Sequence, residues 1–256
     1  MKDSWLKRQL VDRHERFISG RRDRSIKRYL FENNHITTAI DSYAIMSNSC
    51  GTRRSNYVLM DHFIKLRRPK FIIECGTGIS TYVLAQSMLR HLGDPESGFK
   101  LISMEHQEEW YEHQIERFPE ELKEFVEIVH SPIDYYQHMF INGTVYSNIP
   151  DYPYDFVFID GPSSQGMCNM DFIRLIASSE KPMSCLIDGR VTTSLAYSIL
   201  FGKSKVTLFP FWGASMILDV TKDDLRTTTK QTLRSLRDEF VNVSYRSALD
   251  LELREE

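Results

Sequence analysis

Residues Phe71–Tyr82 read FIIECGTGISTY. An apolar run ends in a carboxylate, Glu74; the chain then turns through Gly76 and Gly78, and a helix opens at Ser80 or Thr81. This is a strand, a tight loop and a helix start in immediate succession. Glycine permits so tight a turn and lets a ligand come close to the backbone, while the helix N-terminus presents N–H groups that have no partner within the helix. A flat or anionic group is suited to such a junction.

Outward from this junction, short apolar runs recur every 25–30 residues with helical patterns between them, the rhythm of successive strand–helix units in a parallel sheet. The runs are Lys70–Glu74, Lys100–Met104, Phe125–His130, Asp155–Asp160 and Met183–Asp188. Most are nearly continuous and rich in β-branched or aromatic residues, as strands covered on both faces require. Helices are expected at Thr81–His91, Glu108–Arg117, Met170–Ser178 and Thr193–Phe201, and Ser55–Leu66 is expected to pack on the sheet edge. Asp134–Pro153, rich in Tyr, Asn, Gly and Pro, predicts a helix plus an irregular loop bordering a site. Lys205–Phe209 and Ser215–Val220 are too close together for a crossover helix, so they should be antiparallel. The fold class is α/β: a doubly wound, seven-stranded, mostly parallel sheet with an antiparallel last strand pair, preceded by helices. The expected division is a basic helical extension over 1–54, a Rossmann-like domain over 55–222, and a C-terminal helix and arm over 223–256.

Two acidic residues narrow the ligand. Glu74, two positions before the first glycine, should sit near the ligand, where at low effective dielectric it repels a pyrophosphate and attracts an ammonium or sulfonium. The third glycine of a dinucleotide-type G-x-G-x-x-G loop is Thr81 here, which also weighs against NAD. S-adenosylmethionine carries positive charge and no phosphate. Glu105 ends the second run, 27 residues after Gly78, about where an acidic residue in doubly wound folds accepts hydrogen bonds from ribose hydroxyls. Its other reading is a carboxylate that favours the dipole of the following helix.

The motif E-x-G-x-G at Glu74–Gly78, the acidic Glu105 and the run DFVFIDG at Asp155–Gly161 together resemble class I S-adenosylmethionine-dependent methyltransferases, over about residues 55–220. That resemblance implies a seven-stranded sheet with an antiparallel last pair. It also implies cofactor roles for Glu74, Gly76, Gly78, Ser80 and Glu105, with Ser131, Pro132 and Ile133 near the adenine and Asp160 within reach of the cofactor.

Asp160 closes the fourth run and should point into the crevice beyond the strand ends, where it is the leading catalytic candidate: it can take the proton of a hydroxyl acceptor or orient that acceptor. The alternative is a carboxylate that caps the loop after it. Asp188 ends the fifth run and should lie beside Asp160 as a second catalytic candidate. Two neighbouring carboxylates suit Mg²⁺, and the pattern is similar to metal-dependent catechol-type O-methyltransferases. Those have an Asp-Asn pair where this chain has Asp188-Gly189, so no metal is assigned and Asp188 is left to pair with Arg190 or to contact acceptor hydroxyls.

The 256 residues, 41% apolar and 12% aromatic, suffice for a large core and exclude a disordered or fibrous chain. No apolar run approaches the roughly 20 residues that span a bilayer. Cys50, Cys75, Cys168 and Cys185 are dispersed and no secretory h-region follows Met1, so a reduced, cytoplasmic protein is expected. The eight histidines show no clustered ligand spacing, which argues against structural zinc. Residues 1–30 carry ten Lys/Arg against four Asp/Glu, about +6, leaving about −9 elsewhere. That end is either a solvated amphipathic helix or a surface for nucleic acid, anionic lipid or an acidic partner.

The favoured function is methyl transfer from S-adenosylmethionine to a hydroxyl of a small or sugar-like acceptor. The alternatives are a nucleotide-dependent oxidoreductase and a non-catalytic binding module. DNA-base methylation is disfavoured because no N/D-P-P-Y follows the fourth run, although the basic front end keeps an RNA acceptor open. The acceptor and the oligomeric state are not written in the sequence.

Overall fold

A computed structural model describes residues 24–47, 54–139, 141–162, 167–209 and 213–225. The basic segment up to residue 23, Cys50, the aromatic pair Phe211 and Trp212, and the expected tail helix beyond residue 225 lie outside them.

The main sheet has seven strands in the order β3-β2-β1-β6-β8-β10-β9. They are β1 (Phe71–Cys75), β2 (Lys100–Glu105), β3 (Val126–His130), β6 (Phe156–Ile159), β8 (Met183–Asp188), β9 (Val206–Phe209) and β10 (Ala214–Val220). β10 inserts between β8 and β9 and runs antiparallel to both, while β3, β2, β1, β6 and β8 are mutually parallel. The expected sheet and its reversed last pair are therefore present.

Consecutive side chains explain why the central strands read as unbroken apolar runs. Ile72, Leu101, Phe156 and Leu186 belong to one buried cluster, whereas their neighbours Ile73, Ile102, Val157 and Ile187 belong to another. Side chains alternate across a strand, so each cluster occupies one face of the sheet. The first face is covered by α1 (24–32), α2 (Asn34–Ser47), α3 (Arg54–Arg67) and α4 (Ile79–Leu92). The second carries α6 (Asp171–Ser178) and α7 (Val191–Phe201). Helix α5 (Glu108–Arg117) lies against β2 and β3.

Two expectations are revised. Helix α3 covers a face rather than an edge: Phe63 stacks on Phe156 of the central strand β6, with ring centroids 4.2 Å apart. Its buried stripe, which includes Tyr57, Met60 and Ile64, is too broad for an edge position. The expected helix within Asp134–Pro153 is instead a hairpin, β4 (Ile133–His138) and β5 (Ile141–Tyr146), joined by the short β7 (Cys168–Asn169) into a second, three-stranded sheet. Gly143 is what lets β7 approach, since a Cβ there would run into Cys168 O and Met170 Cγ. Among the described residues no helix is long and apolar enough to cross a membrane, and Cys75, Cys168 and Cys185 are free thiols.

Candidate active site

β1, β2, β6 and β8 are parallel, so the segments leaving their carboxyl ends converge in one crevice. The glycine loop after β1 is held from below. Glu74 Oε2 accepts hydrogen bonds from Thr81 Oγ1 at 2.6 Å and Ser103 Oγ at 2.8 Å. Gly78 N donates to Thr81 Oγ1 at 3.0 Å, and the Thr77 and Ser103 hydroxyls meet at 2.7 Å. Glu74 is fully buried, and that burial pushes its pKa up to about 7 against the hydrogen bonds that favour the anion. The expectation of a charged carboxylate at the lip is thus corrected: Glu74 lies beneath the loop and clasps β1, β2 and the first turn of α4. Ser80 is buried in that turn. Trp110 of α5 ties the loop from the other side, its Nε1 donating to Thr77 O at 2.9 Å.

At the end of β2, Glu105 Oε1 accepts from His106 N at 2.7 Å and Gln107 N at 2.8 Å, so one oxygen holds the turn that leads into α5. Ser131 N donates to Glu105 O at 2.8 Å, which places Ser131 beside that strand end. Its hydroxyl accepts from Asn148 N at 2.8 Å and is committed to that turn. Ile133 is half-buried at the start of β4.

The loop after β6 packs directly on the glycine loop. Asp160 N donates to Cys75 O at 2.9 Å, and Gly161 is so close to Gly76 that a Cβ on Gly161 would lie 2.7 Å from Gly76 Cα. Asn169 Nδ2 holds Gly161 O at 3.1 Å and also donates to the buried Asp171 at 2.8 Å. Arg190 donates to the carbonyls of Pro162, at 2.6 Å, and of Asp160. Its terminal nitrogens thus serve the main chain of this loop.

The Asp160 side chain is half-buried and makes no hydrogen bond to any described residue. Burial first, and then the neighbouring charge of Asp188, push its pKa up to about 8, while Arg190 opposes the shift. The pairing of Ile159 with Ile187 explains the proximity of Asp160 to Asp188, since each is the next residue along its strand.

Around this loop, Tyr146 OH and Arg190 Nε are buried without a hydrogen-bond partner, whereas His106 Nδ1 lies 3.0 Å from Glu105 Oε1. Tyr146 OH lies 2.8 Å from where a Cβ on Gly161 would stand, and the Tyr146 and His106 rings meet edge-on at 6.4 Å. Unsatisfied polar atoms are rare in folded proteins and need an explanation; here two lie beside the crevice, and a polar ligand supplies one. Sequence reasoning missed Tyr146, Trp110 and Asn169. Tyr146 ends a strand within a stretch read as a helix and loop, and the other two carry no local motif. A separate cleft of about 770 Å³, lined by Tyr152, Arg174 and Lys181 among others, lies near the start of β8, at the end of the sheet away from Asp160.

Residues 73–182 match a family model described as a methyltransferase domain. No curated protein matches the chain. Similar solved structures include a methyltransferase from Geobacter sulfurreducens (11% identity, 72% of this chain and 90% of that one, TM-score 0.48). An O-methyltransferase from Bacillus cereus in complex with SAH is 13% identical over 73% of this chain and 91% of that one, TM-score 0.46. An SAH-bound methyltransferase from Podospora anserina is 11% identical over 73% of this chain and 88% of that one, TM-score 0.49.

Proposed function

We propose, from the premise that this chain carries a class I S-adenosylmethionine-dependent methyltransferase domain, that it methylates a hydroxyl of a small or sugar-like acceptor. The observation that carries the hydroxyl reading is Asp160: a carboxylate with no hydrogen-bond partner among the described residues, its pKa raised to about 8, at the carboxyl end of the central strand. A general base works best when its pKa lies near the working pH.

The residues present fit the cofactor. Tyr146 OH and Arg190 Nε are buried beside the crevice without partners, and a Cβ on Gly78 would meet nothing within 4 Å, so the loop is open on that side. Glu105 would hold the ribose hydroxyls, the Gly76–Gly78 loop and Ser80 the methionine portion, and Ile133, with Ser131 behind it, the adenine. Glu74 and Trp110 act as positioning residues, fixing the loop from below and from the side. S-adenosylmethionine supplies the electrophilic methyl carbon. What the chain must do is align the acceptor oxygen and receive its proton, and Asp160 is the group placed for that, with Asp188 keeping its basicity high.

The donor set does not fit Mg²⁺. Gly189 adds no side-chain oxygen to those of Asp160 and Asp188, and Arg190 already brings positive charge to this loop. No step is assigned to a metal.

Isothermal titration tests the cofactor. SAH is expected to bind and NAD⁺ is not; tight NAD⁺ binding without SAH binding overturns the reading in favour of an oxidoreductase. Glu105→Ala is expected to weaken SAH binding about 10- to 100-fold, the equivalent of one or two hydrogen bonds to a charged group. An unchanged Kd assigns Glu105 to holding the turn before α5 alone.

A further inference from the structure

The histidines show no metal-ligand spacing along the chain, but the fold assembles a ligand set away from the crevice. His35 stands in the first turn of α2, Asp61 in α3 and His91 in the last turn of α4. His35 Nε2 lies 3.2 Å and His91 Nε2 2.9 Å from the same oxygen, Asp61 Oδ1. One donor atom from each residue falls within 4.8 Å of the others. We propose that His35, Asp61 and His91 bind one divalent transition-metal ion of the zinc type, which ties the helices before β1 to the body of the domain.

Three observations carry this. Asp61 is fully buried, and among the described residues no lysine or arginine forms an ion pair with it. Arg90 contributes charge at His35 and Tyr29 without such a contact. Buried carboxylates are ordinarily paired with a cation or coordinate a metal. The donor chemistry is selective: two imidazoles and one carboxylate suit zinc and its first-row neighbours, whereas Mg²⁺ and Ca²⁺ prefer oxygen throughout. In a tetrahedral site with bonds of about 2.0–2.1 Å, ligand atoms stand about 3.3 Å apart, close to the two spacings seen here.

The surroundings agree. Tyr29 OH donates to Asp61 Oδ2 at 2.9 Å and Ser87 Oγ donates to Oδ1 at 2.9 Å, the kind of outer hydrogen bonds that orient a ligating carboxylate. His35 Nδ1 is buried without a partner, so no second contact pins that ring's proton to Nε2. Ligation requires each ring to carry its proton on Nδ1 and present the Nε2 lone pair. The His35 and His91 side chains are 17% and 12% exposed, enough for an ion to enter and for water to take the fourth position. His91 lies 13 residues beyond Gly78 along α4, about 20 Å at 1.5 Å per residue, so the site is structural and independent of the methyl-transfer reading.

The test uses the full, untagged chain, stripped with a chelator and titrated with CoCl₂. One Co²⁺ per chain is expected to give the visible d–d absorption of a four-coordinate ion, and one equivalent of ZnCl₂ should bleach it. Zinc should also raise Tm by about 4 °C or more. His35→Gln and His91→Gln are each expected to lose the absorption and the zinc-dependent rise in Tm while still binding SAH within twofold of the parent, which shows that they are folded. Asp160→Asn should keep the absorption. Loss of the absorption in Asp160→Asn but not in the histidine variants moves the ion to the crevice and overturns the proposal. So does its absence from the parent chain, which leaves a hydrogen-bonded Asp61 with two Nε2–H donors.

Discussion

Gly161→Ala is expected to lower stability by about 2–3 kcal/mol and methyl transfer by about 100-fold or more. The added Cβ would stand 2.7 Å from Gly76 Cα, 2.8 Å from Tyr146 OH and 2.9 Å from Cys75 O. Two of these three atoms are backbone, and Gly76 itself sits at φ +102 in a turn with little room to yield. Overpacking a well-filled site costs about 1–3 kcal/mol, and contacts this short with main chain belong at the upper end. The rate suffers more than the fold, because the strain is relieved by moving the 160–162 loop and Asp160 moves with it; a displacement near 1 Å can cost 100-fold. Urea denaturation and single-turnover kinetics read the two effects separately. A variant with parental stability and rate would mean that the two glycines do not carry this contact.

The second large effect is at Asp160. Asp160→Asn keeps the shape and removes the proposed base, so kcat should fall by about 10²- to 10⁴-fold, with SAH affinity little changed. In the parent, kcat/KM should rise with pH and level off above about 8, where the carboxylate is ionised. Stability should run the other way. The folded pKa of about 8 lies above the ordinary value of 3.8, so between them the folded state binds more protons than the unfolded one. Stability therefore falls as pH rises through that window and is flat above it. Asp160→Asn should remove this slope and be relatively more stable at pH 9 than at pH 5. Urea midpoints at several pH values measure it, and identical slopes in parent and variant would place the raised pKa elsewhere.

The parallel sheet was legible because strands buried on both faces write themselves as continuous apolar runs: Phe156–Ile159 and Met183–Asp188 stand where their composition puts them. The glycine junction was legible because its chemistry is local. What the sequence hid was non-local. Asn142-Gly143 looked like loop punctuation, but Gly143 is there to admit β7 against a strand. Glu74 reads as a carboxylate facing a ligand, and only the positions of Thr81 and Ser103 show that it is sealed under the turn. Tyr146 reaches the crevice because a hairpin carries it there. His35, Asp61 and His91 are separated by 26 and 30 residues, a distance over which no spacing rule operates.

Helix α5 begins three residues after Glu105, whose carboxylate holds the turn into it, and through Trp110 it grips Thr77. On the proposed reading, the sugar end and the amino-acid end of the cofactor would both be held by segments tied to this one helix. Adenosine and methionine offered as separate fragments should therefore assist one another's capture, because whichever arrives first seats the helix for the second.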